Sequence, residues 1–123
     1  MTKKELDKIL DNHKEWLRTG GDKGERANLS CADLRCADLR RANLSGADLD
    51  YSAFPLWCGG LDVHVDDKQA TQLLYHLVRN VLYSKNTSAE MKKLCMLKSV
   101  VKKANEFHRV DECGVINGKD DNK

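Results

Sequence analysis

Ala27-Asn28-Leu29-Ser30-Cys31, Ala32-Asp33-Leu34-Arg35-Cys36, Ala37-Asp38-Leu39-Arg40-Arg41, Ala42-Asn43-Leu44-Ser45-Gly46, Ala47-Asp48-Leu49-Asp50-Tyr51 and Ser52-Ala53-Phe54-Pro55-Leu56 follow one another as units of a single five-residue pattern. A helix repeats every 3.6 residues and a strand every 2, so neither keeps every fifth side chain on one side. A strict period of five requires a chain that turns a corner in each unit, which is a solenoid. Leu29, Leu34, Leu39, Leu44, Leu49 and Phe54 are expected to point inward, with Ala27, Ala32, Ala37, Ala42, Ala47 and Ser52 filling the same narrow interior. Asn28, Asp33, Asp38, Asn43 and Asp48 suit the turns, where their side chains can satisfy backbone groups. The fifth place holds Cys31, Cys36, Arg41, Gly46 and Tyr51, and that tolerance marks an outward corner.

This stretch closely resembles the pentapeptide-repeat family, whose signature is A(D/N)LXX. Five consecutive units carry it, while the sixth keeps Phe54 but has Ser52 and Ala53 in the first two places. The resemblance covers 30 of 123 residues. It implies an α+β fold: a short right-handed quadrilateral β-helix with four units per coil, capped by an N-terminal helix and a C-terminal helical region. Six units make about one and a half coils, a column only ~7 Å tall at strand spacing. Family members that imitate DNA use a long acidic column, and one DNA turn of roughly 34 Å would need about seven coils. Residues 27–56 carry Asp33, Asp38, Asp48 and Asp50 against Arg35, Arg40 and Arg41, so DNA mimicry is not expected.

A single domain over 1–123 is expected, with the flanks as caps, because a solenoid stub exposes its apolar interior at both ends. In 1–21, Thr2-Lys3-Lys4-Glu5 fits a capping box, Leu6, Ile9, Leu10, His13, Trp16 and Leu17 follow at helical spacing, and Gly20-Gly21 ends the helix. In 57–115, Leu61 to Val65 alternates like a short strand. Asp66 or Asp67 then starts a helix to about Tyr83, with Ala70, Leu73, Leu74, Leu77, Val78 and Val81 on its apolar face. A further helix opens at Asn86-Thr87-Ser88 and runs to about His108, its apolar face formed by Leu94, Leu97, Val101 and Ala104 with His108 at the centre. Residues 116–123 read as a frayed polar tail.

Composition narrows the setting. The chain has 33% charged residues, 21 basic against 19 acidic, for a net charge of +2, which fits neither a polyanion nor a strongly basic nucleic-acid binder. No apolar run is long enough to span a bilayer and no secretory leader is evident, so a cytoplasmic location is expected, and the resemblance to phage-borne proteins described below implies that the cell is a bacterial host. Five cysteines without a CxxC pair read as free thiols or metal ligands. Cys31 and Cys36 fit surface corners, and Cys95 fits helix packing.

Cys58 and Cys113 join His108 as candidates for a structural zinc site. His108 and Cys113 lie five residues apart where a helix ends, Cys58 precedes Gly59-Gly60, and zinc accepts both imidazole and thiolate. Either His64 or His76 could complete a set of four. Phe54-Pro55-Leu56-Trp57-Cys58-Gly59, Gln72-Leu73-Leu74-Tyr75-His76 and Phe107-His108-Arg109 through Cys113-Gly114 are similar to the tail of small phage-borne pentapeptide-repeat proteins. That resemblance favours Cys58, His76, His108 and Cys113 as the metal ligands. Four protein ligands leave no open position, so such a zinc would be structural.

No nucleophile with an activating base and no phosphate-cradling loop is recognisable, so a non-enzyme is expected. A short chain of this kind resembles phage inhibitors of bacterial defence, anti-CRISPR proteins among them. The resemblance implies stoichiometric protein–protein contact with a bacterial effector such as a Cas nuclease, blocking its nucleic-acid loading. An alternative is a module that sequesters a small nucleotide signal through Arg35, Arg40 and Arg41. Direct nucleic-acid binding is the weakest reading at this charge. The lysines of the last helix, Lys92, Lys93, Lys98, Lys102 and Lys103, form a basic surface open to solvent or to an anionic partner.

Overall fold

The computed structural model describes residues 1–117, which divide into two compact units at Asp66/Asp67. The first unit holds α1 (Lys3–Arg18), the repeats and the short α2 (Cys58–Leu61). The second holds α3 (Asp67–Tyr83), α4 (Ala89–Cys95), α5 (Lys98–Ala104) and α6 (Val110–Cys113). Among the described residues no helix is long and apolar enough to cross a membrane.

In the first unit, α1 starts where the Thr2 hydroxyl accepts the Glu5 N–H at 3.1 Å. It ends at Thr19, followed by Gly20 and Gly21 at φ +65° and +101°, angles that suit glycine. Leu6 is buried in one cluster with Leu29, Leu34, Leu39 and Leu44, and Ile9 and Leu10 pack against that cluster. His13 is wholly buried and joins α1 to the repeats at two points. Its Nδ1 accepts the Ala27 N–H at 3.0 Å, so the proton sits on Nε2, which donates to the Ser45 carbonyl at 2.9 Å. Trp16 stacks on the His13 ring, and Gly46 faces the same indole so closely that a Cβ would stand 3.0 Å from it.

The repeats follow the five-residue rule closely. Leu29, Leu34, Leu39 and Leu44 are each at most 1% exposed. Asn28, Asp33, Asp38, Asn43 and Asp48 each accept, through Oδ1, the N–H two residues later. Cys31, Cys36, Arg41, Gly46 and Tyr51 all adopt φ between +61° and +82°, so the fifth place of each of the first five units is a left-handed corner. The chain returns alongside itself after twenty residues, where Leu29 and Leu34 donate to the Asp48 and Ala53 carbonyls, both at 2.8 Å.

The expected α+β fold with a quadrilateral β-helix is nevertheless contradicted. The structure is 47% helical and only 5% strand, with no sheet among the described residues. The parallel pairings are isolated bridges, Asn28 with Asp48, Asp33 with Ala53 and Asn43 with His64. The corners give the reason. An Asx turn and a left-handed residue in each pentad interrupt the extended backbone before two neighbouring residues can pair, so no continuous ladder forms. The expected strand at 61–65 is likewise reduced, since Leu61 closes α2 and only His64 makes a bridge.

In the second unit, Tyr75, Val78, Val81, Leu82, Cys95, Ala104, Phe107 and Ile116 form the core. The α3 boundaries match expectation, and so does half of its expected apolar face: Val78 and Val81 are buried and Leu74 packs against the core. Thr71, Tyr75, Val78 and Leu82 turn inward, whereas Ala70, Leu73 and Leu77 are exposed. Tyr75 supplies the reason: its ring fills the interior beside Phe107, with centroids 4.8 Å apart, and its hydroxyl donates to the Gly114 carbonyl. The expected single helix from Asn86-Thr87-Ser88 to about His108 is broken at Met96-Leu97 and ends at Ala104, and Leu94, Leu97 and His108 are exposed. Ile116, expected in a frayed tail, is buried and pinned by Asn105, whose side chain bonds both its N–H and its carbonyl at 2.8 Å. The remainder of that tail, 118–123, lies outside the described residues.

Candidate functional site

The end of the repeat segment departs from the pattern that precedes it. Tyr51, at the last left-handed corner, and Leu56, five residues beyond it, put an aromatic and an aliphatic side chain on the surface, 68% and 89% exposed. Trp57 follows at 44% exposed, held by its Nε1–H, which donates to the Ala37 carbonyl at 3.0 Å. Gly59 lies under the Trp57 indole and Gly60 against the Pro55 ring, and a Cβ at either position would collide with these rings. The paired glycines therefore serve the close packing of Trp57 and Pro55. Together Phe54, Pro55, Leu56 and Trp57 line, with Arg35 and Cys36, an open groove of about 540 Å³. An anchored indole beside an exposed leucine is the kind of rigid apolar group that dominates protein contacts.

The metal candidates are distributed differently. Cys58 opens α2 in the first unit and is exposed. His76 and His108 both lie in the second unit against Phe107, with ring centroids 5.2 Å and 5.0 Å from it. Cys113 is half-buried at the end of α6, and its carbonyl accepts from Arg79. Burial, then the positive charges of Arg79 and Arg109, lower the His76 pKa below the usual histidine value. His64 is exposed and pairs through its backbone with Asn43. Among the described residues no three His, Cys, Asp or Glu side chains are grouped to hold a metal ion.

The arginines considered for phosphate binding are engaged with their own repeats. Arg35 forks onto Asp33 through Nε and Nη2 at 2.9 and 2.8 Å, and Arg40 does the same to Asp38 at 2.9 and 2.7 Å. The side-chain bond from each arginine, followed by its backbone N–H, lowers both carboxyls to about 2. A phosphate would have to displace these carboxylates. Arg41 makes no such pair and lines an open cleft of about 770 Å³ between α1 and the repeats, where Asp7, Asp11 and Lys14 also stand.

With the corners, turns and inward leucines in place, comparison with known proteins identifies the segment. Residues 25–54 match the family described as "Pentapeptide repeats (8 copies)". The chain carries pentapeptide repeats. The match ends at Phe54, directly before the Pro55-Leu56-Trp57 platform, so the groove is built where the pentapeptide repeats give way to other sequence. Neither the curated proteins nor the solved structures include a significant match to the chain.

Sequence reading assigned Leu56 to the final unit and treated Cys58-Gly59-Gly60 as a metal knuckle, missing the platform. Two signals were present: Leu56 occupies the outward fifth place, and a tryptophan precedes paired glycines.

Proposed function

We propose that the protein is a non-enzymatic binding protein that works by stoichiometric contact with a bacterial defence effector, such as a Cas nuclease, and blocks its nucleic-acid loading. The observation that supports contact is the Leu56–Trp57 platform, where a leucine 89% exposed stands beside an indole fixed by the Ala37 carbonyl. Leaving such a leucine in water forgoes about 1.5–3 kcal/mol of burial that a partner can recover. The choice of effector rests on the resemblance of the repeats and tail segments to small phage-borne proteins. Sequestration of a nucleotide signal is less well supported, because Arg35 and Arg40 already hold carboxylates.

The test is gel filtration of the purified protein with a Cas nuclease, followed by assays of target-DNA loading and cleavage. Co-elution and inhibition that saturates at equimolar protein are expected. No co-elution and full cleavage at molar excess, across representative effectors, would refute the reading.

A further inference from the structure

The second unit carries a surface of different chemistry, independent of the repeat platform. It arises from the break at Met96-Leu97. In one continuous helix Leu94 and Leu97 would share the inward face with Val101 and Ala104. The break instead turns Cys95, Val100, Val101 and Ala104 toward the core. Leu94 and Leu97 remain 55% and 50% exposed, with Met91 and Met96 beside them in sequence at 39% and 49%. Leu97 also occupies the N-cap of α5, at φ −56° and ψ 132°, and supplies no side-chain cap. Ser, Thr, Asn or Asp would ordinarily cap the helix there, so the leucine runs against local preference.

The charged residues of the same stretch carry mostly one sign. Residues 85–103 contain six lysines and a single acidic residue, Glu90. Lys103 is paired with Asp67 at 2.8 Å and Glu106 at 3.3 Å. Lys85, Lys92, Lys93, Lys98 and Lys102 make no ion pair among the described residues, and all but the half-buried Lys92 are exposed. From Ser84 to Glu106 there is no aromatic residue on which a nucleic-acid base could stack. A phosphate backbone would meet the lysines but leave the leucines and methionines in water. Two seven-residue helices separated by a break also lack the long continuous apolar face of a membrane-surface helix.

We infer that the α4–α5 face is a docking surface for an acidic, amphipathic segment of a partner protein. The segment's apolar side chains cover Met91, Leu94, Met96 and Leu97, and its carboxylates meet Lys93, Lys98 and Lys102. The methionines adapt to the shape of the incoming side chains, and the lysines set the sign of the partner. Apolar contact supplies hold and charge supplies selection, so neither group alone suffices.

The experiment uses the full chain and a fluorescent synthetic helix of alternating Glu and Leu faces, with a Lys-for-Glu counterpart as control. Binding of the acidic helix that weakens with salt, and no binding of the basic one, is expected. Leu94→Ser with Leu97→Ser, and separately Lys93→Glu with Lys98→Glu, should each weaken binding about tenfold or more, equivalent to about 1.4 kcal/mol. Thermal melts establish that each variant is folded; should the leucine variant unfold, the exposed-lysine variant decides. Failure of the acidic helix to bind at millimolar concentration overturns the inference, as does binding indifferent to both variants. Tight binding of duplex DNA or phosphatidylserine vesicles, abolished by the lysine variant while the acidic helix stays unbound, overturns it in favour of a nucleic-acid or lipid partner.

Discussion

In the repeat unit a residue's place in its pentad determines its surroundings, whereas in the helical unit those surroundings depend on distant residues. Leu34 and Leu39 are third in their pentads and fully buried. Leu73 and Leu77 sit at helical spacing with other apolar residues, yet they are half exposed because Tyr75 takes the interior. A short covalent period constrains every unit through its own turn, so local sequence carries the information. A helix can rotate about its axis at little local cost, and only its packing partners decide which face is buried.

The sharpest way to break this comparison is to make one substitution in both units. Leu34→Ala or Leu39→Ala should lower stability by about 3–5 kcal/mol, because each removes a wholly buried side chain from a narrow interior. Leu77→Ala, on a half-exposed site, should change it by no more than about 0.5 kcal/mol. Urea unfolding followed by circular dichroism measures both. Comparable losses at Leu77 and Leu34 would show that the helical unit is also readable from periodicity.

Next in size is the join between α1 and the repeats. His13→Ala removes the acceptor for the Ala27 N–H and the donor to the Ser45 carbonyl, for an expected loss of about 2–4 kcal/mol. Trp16 fluorescence reports the event locally, since its indole stacks on His13. A loss below about 0.5 kcal/mol would mean that α1 is held by its apolar face alone.

These contrasts also explain what was legible in the sequence. The inward leucines, the Asx turns, the α1 cap and the outward fifth place follow from residue identity at fixed spacing. The absence of a sheet was not legible, because it depends on how much extended backbone survives between successive corners. The broken helix at Met96-Leu97 was hidden as well, since no proline or glycine marks it. Gly59-Gly60 signalled close approach correctly but not what approaches: the rings of Trp57 and Pro55. The Leu56–Trp57 platform needed the knowledge that Leu56 is left exposed and that Ala37 fixes the indole.

Smaller effects sharpen the corner rule itself. Cys31 adopts φ +61°, a left-handed conformation that costs a non-glycine residue roughly 1–2 kcal/mol. Cys31→Gly should therefore be neutral or stabilise by up to about 1 kcal/mol despite the greater entropy of the unfolded chain. A clear destabilisation in thermal melts would count against the corner as drawn.

The smallest expected effect concerns the paired carboxylates. Asp33 and Asp38 titrate at about 2 in the folded protein against an ordinary 3.8, so their ion pairs contribute fully above the ordinary value. That contribution fades as pH falls from 3.8 toward 2, as the folded carboxyls become protonated. Asp33→Asn with Asp38→Asn keeps the side-chain oxygen needed for each turn, as Asn28 and Asn43 show. The variant should be slightly less stable at neutral pH and converge with the parent in strong acid. A difference that stays constant on acidification would assign the effect to the turn rather than to the ion pair.

The most direct test of the account as a whole is a titration of Cas-nuclease cleavage with the parent protein and with Leu56→Asp, whose fold is checked by melting. Inhibition by the parent saturating at one protein per nuclease, with its loss in the folded variant, is the predicted result. Equal inhibition by both proteins, or none by either, would contradict the claim that the chain works through the platform at the end of its repeats.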